Sequence, residues 1–296
     1  MTRMQANLVL LIAAAIWGGG FVAQSTAMET LGPFWFIGLR FLVATACVLP
    51  FALLEGRRAR APLTPRNYRH FLLIGLALFM GAATQQVGLQ TTSVTNSSFL
   101  TGLYVVFVPV LSVVFLSRRP HWIIWPAALM ALTGIFLLSG GHLDKLTSGD
   151  FLTIVCALFW AIQVTLVGLF VGESGRPLAL STVQFAVCAL GGLLVGILSE
   201  PVSFAAIEGA MSEILYVGIF SSGFAFVLQV IGQRYTTAPQ AAIFLSAEAL
   251  FGALFGALLL QEKLGPVGYI GCGIIFVAMV MVETVPEFLR WRAQKV

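Results

Sequence analysis

Ten long apolar stretches, separated by short polar segments, run along the 296 residues of the chain. Each is close to the ~20 residues that an α-helix needs to cross the ~30 Å hydrocarbon core of a bilayer. The apolar residues are continuous and do not alternate with polar ones, which favours helices over the strands of a membrane barrel. The stretches, numbered here as spans 1 to 10, lie at about 8–27, 33–54, 71–90, 98–116, 122–139, 151–171, 178–198, 213–233, 241–260 and 267–285. The pattern predicts an all-α membrane protein with ten transmembrane helices.

Composition agrees with a protein that lives in a bilayer. The chain is 59% hydrophobic and 9% charged, whereas soluble domains have about 45–50% apolar and about 25% charged residues. So few ionisable side chains cannot coat a soluble particle of this size. The lipid bilayer is therefore the expected environment, with the protein passing through it many times.

The distribution of arginine and lysine predicts the direction of the spans. With the N-terminus inside, thirteen fall in segments on that side and only Lys145 and Lys263 fall on the other. This bias follows the positive-inside rule, and an even number of spans returns the C-terminus to the side of the N-terminus. We expect both termini in the cytoplasm and the protein in the cell inner membrane. Because the basic excess serves topology, no nucleic-acid partner is expected.

The two halves of the chain repeat each other. Because each half has five spans, an odd number, two copies enter the membrane facing opposite ways, which is the layout of an inverted-repeat transporter. The sequence predicts two inverted five-helix repeats, residues 1–146 and 147–296. The matching blocks are Gly88–Arg119 with Gly232–Lys263 and Pro33–Phe41 with Pro177–Phe185, both at an offset of 144, and Trp17 with Trp160 at an offset of 143.

Several segments resemble a known family. They are IWGGGFV at 16–22, GLRFLVA at 38–44 and YTTAPQAAIFLSAEALFGALFGALLLQEKL at 235–264. Together with the duplicated plan they resemble the EamA-type members of the drug/metabolite transporter superfamily, and the chain as a whole is similar to the bacterial YddG amino-acid exporters. The resemblance implies a central cavity lined by helices 1–4 and 6–9, with helices 5 and 10 peripheral. It leaves the solute open, since the superfamily carries amino acids, nucleotide precursors, sugars and drugs.

The chain departs from the family at one motif. The family usually has a Glu-Pro pair in helices 4 and 9, but here Glu248 precedes Ala249, and Tyr104 and Val105 stand at the matching places in span 4. Because proline breaks a helix by removing a donor and clashing with the preceding turn, we expect the proline-induced break to be absent there, although Pro109 lies one turn further along span 4.

Two charged residues lie deep within predicted spans, Arg40 and Glu248. A charge in the bilayer costs several kcal/mol unless it faces a partner or a water-filled cavity, so both are candidate functional residues. Four interpretations stay open: a structural ion pair between them, an arginine satisfied by helix-end carbonyls, direct contact with solute, and proton carriage by Glu248.

Uncharged polar and aromatic residues form a second candidate set for solute binding. Trp160 and Gln163 are three positions apart, as are Thr101 and Tyr104, so each pair shares a helix face. Glutamines and hydroxyls could hydrogen-bond a polar or zwitterionic solute, with aromatic rings as apolar walls. The alternative for each is an interhelical hydrogen bond or a packed aromatic. The set is Trp17, Gln85, Thr101, Tyr104, Trp160, Gln163 and Gln229.

These features favour a secondary transporter that exports small metabolites, amino acids first, by alternating access. Alternatives are an exporter of drugs or other metabolites with the same fold, and a passive channel. An enzyme is not expected, because the histidines lie in loops or at helix ends and activate no buried nucleophile. No metal or cofactor is predicted, since the four cysteines fall singly within spans and are expected to be buried. A small solute and the bilayer are the expected partners, with a monomer as the working assumption.

Overall fold

The computed structural model describes residues 1–59, 61–92, 94–117, 119–141, 147–259 and 265–293. Every regular element in these ranges is helical, which confirms the predicted fold class. Eight helical segments are long and apolar enough to cross a membrane, and two shorter apolar helices, Arg3–Gly18 and Ile124–Leu138, fall at spans 1 and 5. The count of ten crossings and the direction of the termini stay predictions. The predicted boundary between the halves adjoins residues 142–146, which lie outside the described ranges.

Four spans are interrupted along their length: 1, 4, 8 and 9. The first half contains α1 (Arg3–Gly18), α2 (Gly20–Ala27), α3 (Pro33–Arg58), α4 (Pro65–Gly88), α5 (Val94–Thr101), α6 (Tyr104–Val114) and α7 (Ile124–Leu138). The second half contains α8 (Ser148–Ser174), α9 (Pro177–Ser199), α10 (Phe204–Gly209), α11 (Met211–Tyr216), α12 (Phe226–Gln233), α13 (Ala238–Leu245), α14 (Glu248–Leu259) and α15 (Pro266–Ala293). A π-helical segment, Val217–Ala225, joins α11 to α12.

Helices α3 and α9 pack side by side and run antiparallel. The carboxylate of Glu200, after the end of α9, accepts hydrogen bonds from the first amides of α3, and Glu55, near the end of α3, does the same for α9. The backbones approach closely at Gly192, where a Cβ would lie 2.5 Å from the backbone nitrogen of Gly38. Only glycine permits this crossing, because any side chain there would displace the partner backbone.

Two further helix pairs are equivalent under the internal repeat: span 3 packs against span 6, and span 8 packs against span 1. In one pair α4 lies against α8, and in the other α12 lies against α1. Helices α7 and α15 form a separate pair, in which a Cβ on Gly134 would lie 2.7 Å from the carbonyl oxygen of Gly271. This close contact holds spans 5 and 10 to each other, and their peripheral position stays a prediction.

Spans 4 and 9 are interrupted in the same way. At equivalent positions 144 residues apart, i to i−3 bonds replace the i to i−4 bonds of an α-helix. Neither interruption has a proline at the place of the family's Glu-Pro pair, and Pro109 lies further along α6. The expectation that the break would be lost with the proline is therefore wrong. Tyr104 and Glu248 are the first residues after the two interruptions. The bonds are Leu103 to Leu100 and Val105 to Gly102 in span 4, and Ala247 to Phe244 and Ala249 to Ser246 in span 9.

All four cysteines are free thiols. Cys156 and Cys188 are buried as predicted, but Cys272 is half-buried and Cys47 is exposed on the outer surface of its helix. The expectation that all four would be buried is wrong for Cys47. An apolar side chain on the lipid-facing side of a membrane helix is as compatible with the sequence pattern as one inside the bundle.

Candidate solute cavity

A small cavity lies between the two halves, at the level of the helix interruptions. Its volume is about 60 Å³, room for about four waters at ~15 Å³ each. All nine residues selected from the sequence line it: Trp17, Arg40, Gln85, Thr101, Tyr104, Trp160, Gln163, Gln229 and Glu248. The structure thus brings the candidates together, and solute binding by them stays a prediction.

Five further residues complete the wall, and sequence reasoning missed them: Gln24, Val164, Ser221, Phe226 and Leu245. Gln24 is a polar residue within an apolar span, a signal that could have identified it. The other four are residue types that are common in any packed helix, so nothing in the local sequence distinguishes them. Spans 1–4, 6, 8 and 9 supply the wall, but span 7 supplies none of these residues. The implied role of helix 7 in lining the cavity is therefore wrong, because α9 packs against α3 and α4 instead.

Arg40 is held by an amide and by aromatic rings. One terminal nitrogen donates a 2.6 Å hydrogen bond to Oε1 of Gln24. The guanidinium carbon lies 5.3 Å and 5.0 Å from the ring centroids of Phe36 and Phe41. Aromatic faces attract a cation through their quadrupole, and the attraction is strongest where water is excluded. The side chain is only 4% exposed, so these contacts compensate part of its desolvation.

The possible ion pair between Arg40 and Glu248 is not formed. The ion pairs within the described ranges are Arg3 with Glu283, His70 with Glu173, and Arg176 with Glu55. Arg40 and Glu248 instead stand on the wall of one cavity, one from each half of the chain. Because the two side chains line one cavity without contacting each other, each can form an ion pair with an oppositely charged group of a bound molecule.

Four buried glutamines form a continuous chain of hydrogen bonds beside the cavity. Gln163 donates to Gln184 over 3.2 Å, and Gln229 donates to Gln163 over 3.0 Å and to Gln233 over 2.9 Å. Gln233 then donates to the carbonyl oxygen of Val164 over 2.8 Å. Gln163 and Gln229 were predicted, whereas Gln184 and Gln233 stand behind the wall. These hydrogen bonds link spans 6, 7 and 8. The alternative interpretation, an interhelical hydrogen bond, is therefore correct for Gln163 and Gln229, and both residues also line the cavity.

Three aromatic rings lie in contact along one side of the cavity, one pair stacked and the other tilted. Phe226 lies between Trp17 and Trp160, with ring centroids 4.7 Å and 5.6 Å away. The Trp17 indole donates a 3.0 Å hydrogen bond to the carbonyl oxygen of Ser221, in the π-helical segment. A π-helix shifts backbone bonds out of the α-helical register and is common at functional sites. The two tryptophans that the internal repeat relates are thus joined through one phenylalanine.

Several polar atoms on the wall make no hydrogen bond with any described residue of the protein. They are Nε of Arg40, the hydroxyl of Tyr104, Nε1 of Trp160 and Oε1 of Gln229. Buried polar atoms are nearly always satisfied, so a group of unsatisfied ones around one space requires an explanation. Three of the four can donate and one can only accept. The arrangement is suited to a polar molecule that has an oxyanion at one end and a hydrogen-bond donor at the other.

The architecture and the cavity define a multi-pass helical membrane protein with a site that is lined by polar residues from both of its halves. The profile of the EamA-like transporter family matches the chain twice, over residues 4–140 and 147–284. Since these matches cover most of the chain, the protein belongs to the EamA-like transporter family. It is a membrane transporter, as the resemblance in its sequence implied.

Relatives from distant organisms match most of the chain and are described as transporters. An uncharacterized transporter of Archaeoglobus fulgidus is 30% identical, over 95% of this chain and 86% of its own length. The uncharacterized transporter YwfM of Bacillus subtilis is 25% identical over 95% and 94%, and the uncharacterized inner membrane transporter YedA of Escherichia coli is 25% identical over 90% and 87%. A crystal structure with 18% identity superposes with a TM-score of 0.80 over 97% of this chain and 99% of that one, which shows a shared fold.

Proposed function

We propose that the protein is a secondary transporter that exports a small zwitterionic metabolite, an amino acid, across the cell inner membrane by alternating access. The observation that carries this proposal is the pairing of Arg40 and Glu248 across one small cavity without direct contact. A zwitterion presents one carboxylate and one ammonium group, which are the complements of these two side chains.

The unsatisfied atoms of the wall favour the same solute. A carboxylate can accept from Nε of Arg40, from the Tyr104 hydroxyl and from the Trp160 indole, all of which lack a partner within the protein. An ammonium group can donate to Glu248 and to the free Oε1 of Gln229. Hydrogen bonds that involve an ionised group are about twice as strong as neutral ones. A cavity of about 60 Å³ favours a small side chain on the solute.

Two inverted five-helix repeats, residues 1–146 and 147–296, account for the mechanism in this proposal. In such carriers the solute lies near the bilayer midplane at the repeat interface, and one unit rocks against the other around it. The matching interruptions at Tyr104 and Glu248 support this reading, because each half then carries a flexible point at the depth of the cavity. Movement about both points would open the cavity to one side at a time.

Counterflow into proteoliposomes tests the proposed solute. Vesicles loaded with unlabelled alanine should accumulate external labelled alanine, whereas labelled glucose and a labelled lipophilic cation should not accumulate. Arg40→Gln should abolish the alanine signal, because the carboxylate loses its charged partner. A matched control is Arg58→Gln, which removes an exposed arginine outside the cavity. Accumulation of the sugar or the cation in place of alanine would disprove the amino-acid assignment.

A further inference from the structure

A second and larger cavity opens at the end of the bundle that carries the N-terminus. We call it the vestibule; its volume is about 580 Å³. Residues from spans 1, 4, 5, 6, 8, 9 and 10 and their connections line it. Among the residues that the structure describes, its wall contains Arg3, Arg119 and Arg234 and no carboxylate. The sequence pattern predicts that this end faces the cytoplasm, and the proposed function assigns the vestibule no ligand.

Two of the three arginines have no acidic partner. Arg3 lies 3.7 Å from Glu283 and donates to Gln240, so its charge is matched. Arg119 and Arg234 form no ion pair within the described ranges. Clefts with low-dielectric walls and charges of one sign concentrate the electric field and attract ions of the opposite sign. The vestibule is therefore a positively charged recess. The positive-inside rule explains why basic residues lie at this end of the bundle. It does not explain why they line a cavity.

A threonine hydroxyl gives an independent sign of a ligand. Helical threonines commonly bond to a carbonyl one turn back. Examples in the described part of this chain are Thr45, Thr84, Thr133, Thr153, Thr182 and Thr284. Thr165 is 5% exposed, lines the vestibule and makes no hydrogen bond. The hydroxyl of Thr236, also on the vestibule wall, is likewise unsatisfied. Two free donors thus accompany two unpaired arginines.

The vestibule and the solute cavity are separate spaces. Along α8, Gln163 and Val164 face the cavity, whereas Thr165 and Gly168 face the vestibule. Gln233 lies between them and donates to the carbonyl oxygen of Val164. A ligand in the vestibule would therefore be bound at a second site and not at the edge of the first.

We propose that the vestibule is an oxyanion site, in which Arg119 and Arg234 hold a carboxylate or phosphate group and the hydroxyls of Thr165 and Thr236 donate to it. Arginine binds such groups with two parallel donors, which makes it well suited to this role. The oxyanion can come from a free solute or from the head group of an anionic lipid. The site exists whether or not the cavity carries an amino acid.

Charge-selective labelling of a cysteine in the vestibule tests the site without measuring transport. Leu169→Cys, one turn beyond Thr165, is placed in the full chain with its four native cysteines replaced, in uncharged detergent. A negatively charged methanethiosulfonate reagent should react faster than a positively charged one, relative to their rates with free cysteine. Arg119→Gln with Arg234→Gln should lower this ratio by about tenfold. Arg57→Gln with Arg58→Gln, exposed arginines outside the vestibule, should leave the ratio unchanged.

Competition separates the two sources of the oxyanion. If a free solute binds, acetate or inorganic phosphate should slow the labelling in detergent at constant ionic strength. If a lipid head group binds, labelling should slow in phosphatidylglycerol nanodiscs relative to phosphatidylcholine nanodiscs, and the free anions should have no effect in detergent. The competition uses the intact arginines, so it does not depend on the folding of the double variant. No protection by either source, or an equal ratio in both double variants, would overturn the proposal.

Discussion

Glu55 and Glu200 cap each other's helices. The Glu200 carboxylate accepts from the backbone nitrogens of Phe34 and Trp35 at 3.1 Å, and the Glu55 carboxylate accepts from those of Leu178 and Ala179 at 3.2 and 3.1 Å. Each acid thus satisfies amides at a helix start that has no earlier turn to bond to. The negative charge also complements the positive end of the helix dipole. The two long antiparallel helices are joined at both ends by the same device.

We expect loss of either carboxylate charge to destabilise the protein. Glu55→Gln and Glu200→Gln should each lower the free energy of unfolding by about 1–2 kcal/mol, since a charged hydrogen bond is replaced by a neutral one. Glu55→Gln should have the larger effect, because Arg176, 3.2 Å away, also loses its ion pair. The melting temperature in detergent measures this. Glu208→Gln, an exposed acid in α10, is the control, and equal melting temperatures in all three variants would contradict the capping role.

Topology is tested by single cysteines in a cysteine-free background. A cysteine in place of Pro62, between α3 and α4, should react only from the cytoplasmic side in intact cells. One in place of Ala205, in α10, should react only from the outside. Both positions are exposed, so a membrane-impermeant reagent can reach them. Outside labelling at position 62, or inside labelling at 205, would show that the predicted orientation is inverted.

We expect transport to proceed without a proton gradient. Glu248 is the one acid among the described residues of the cavity wall, so strict proton coupling would have to use it or a carboxylate in a loop. Uptake of labelled alanine into proteoliposomes should therefore persist at equal pH on both sides. A strict requirement for a pH gradient, lost in Glu248→Gln, would establish Glu248 as a proton carrier instead.

The wall formed by Trp160 and Gln163 should be essential for transport. Trp160→Ala removes the ring stacked on Phe226, and Gln163→Ala breaks the glutamine chain and leaves Gln184 without its donor. Each should reduce alanine counterflow by at least about tenfold, the equivalent of ~1.4 kcal/mol in a rate or affinity. Trp125→Ala, at a partly exposed tryptophan away from the cavity, is the control. Normal rates and affinities at equal membrane abundance would place the site elsewhere.

Close packing at Gly18 should couple span 1 to the interruption of span 9. A Cβ on Gly18 would lie 2.6 Å from the backbone nitrogen of Gly252 and 2.7 Å from the carbonyl oxygen of Glu248. Gly18→Ala must therefore displace α14, and with it the Glu248 carboxylate, and we expect a severalfold loss of transport. Gly172→Ala is the matched control, because a Cβ there meets no atom within 4 Å. Full activity in Gly18→Ala would mean that the start of α14 can move without affecting the site.

The sequence by itself determined the helical class, the family and nine of the residues that line the cavity. Hydropathy is a local property, and a span of ~20 apolar residues has few alternatives to a membrane helix. A polar or charged residue in such a span is costly unless it faces other polar groups. We therefore expect Arg40, Glu248 and the candidate glutamines to lie near one another inside the bundle. No single residue indicates the position of the cavity.

Only the tertiary structure decided which groups pair. Arg40 binds Gln24 and two aromatic rings, and its ion pair with Glu248 is absent. Gln184 joins the glutamine chain although span 7 supplies no wall residue, and span 9 is interrupted at Glu248 without a proline. These features depend on how each helix is rotated and tilted against its neighbours. Close approaches such as that of Gly192 to Gly38 set those angles, and a pattern read along one chain does not contain them.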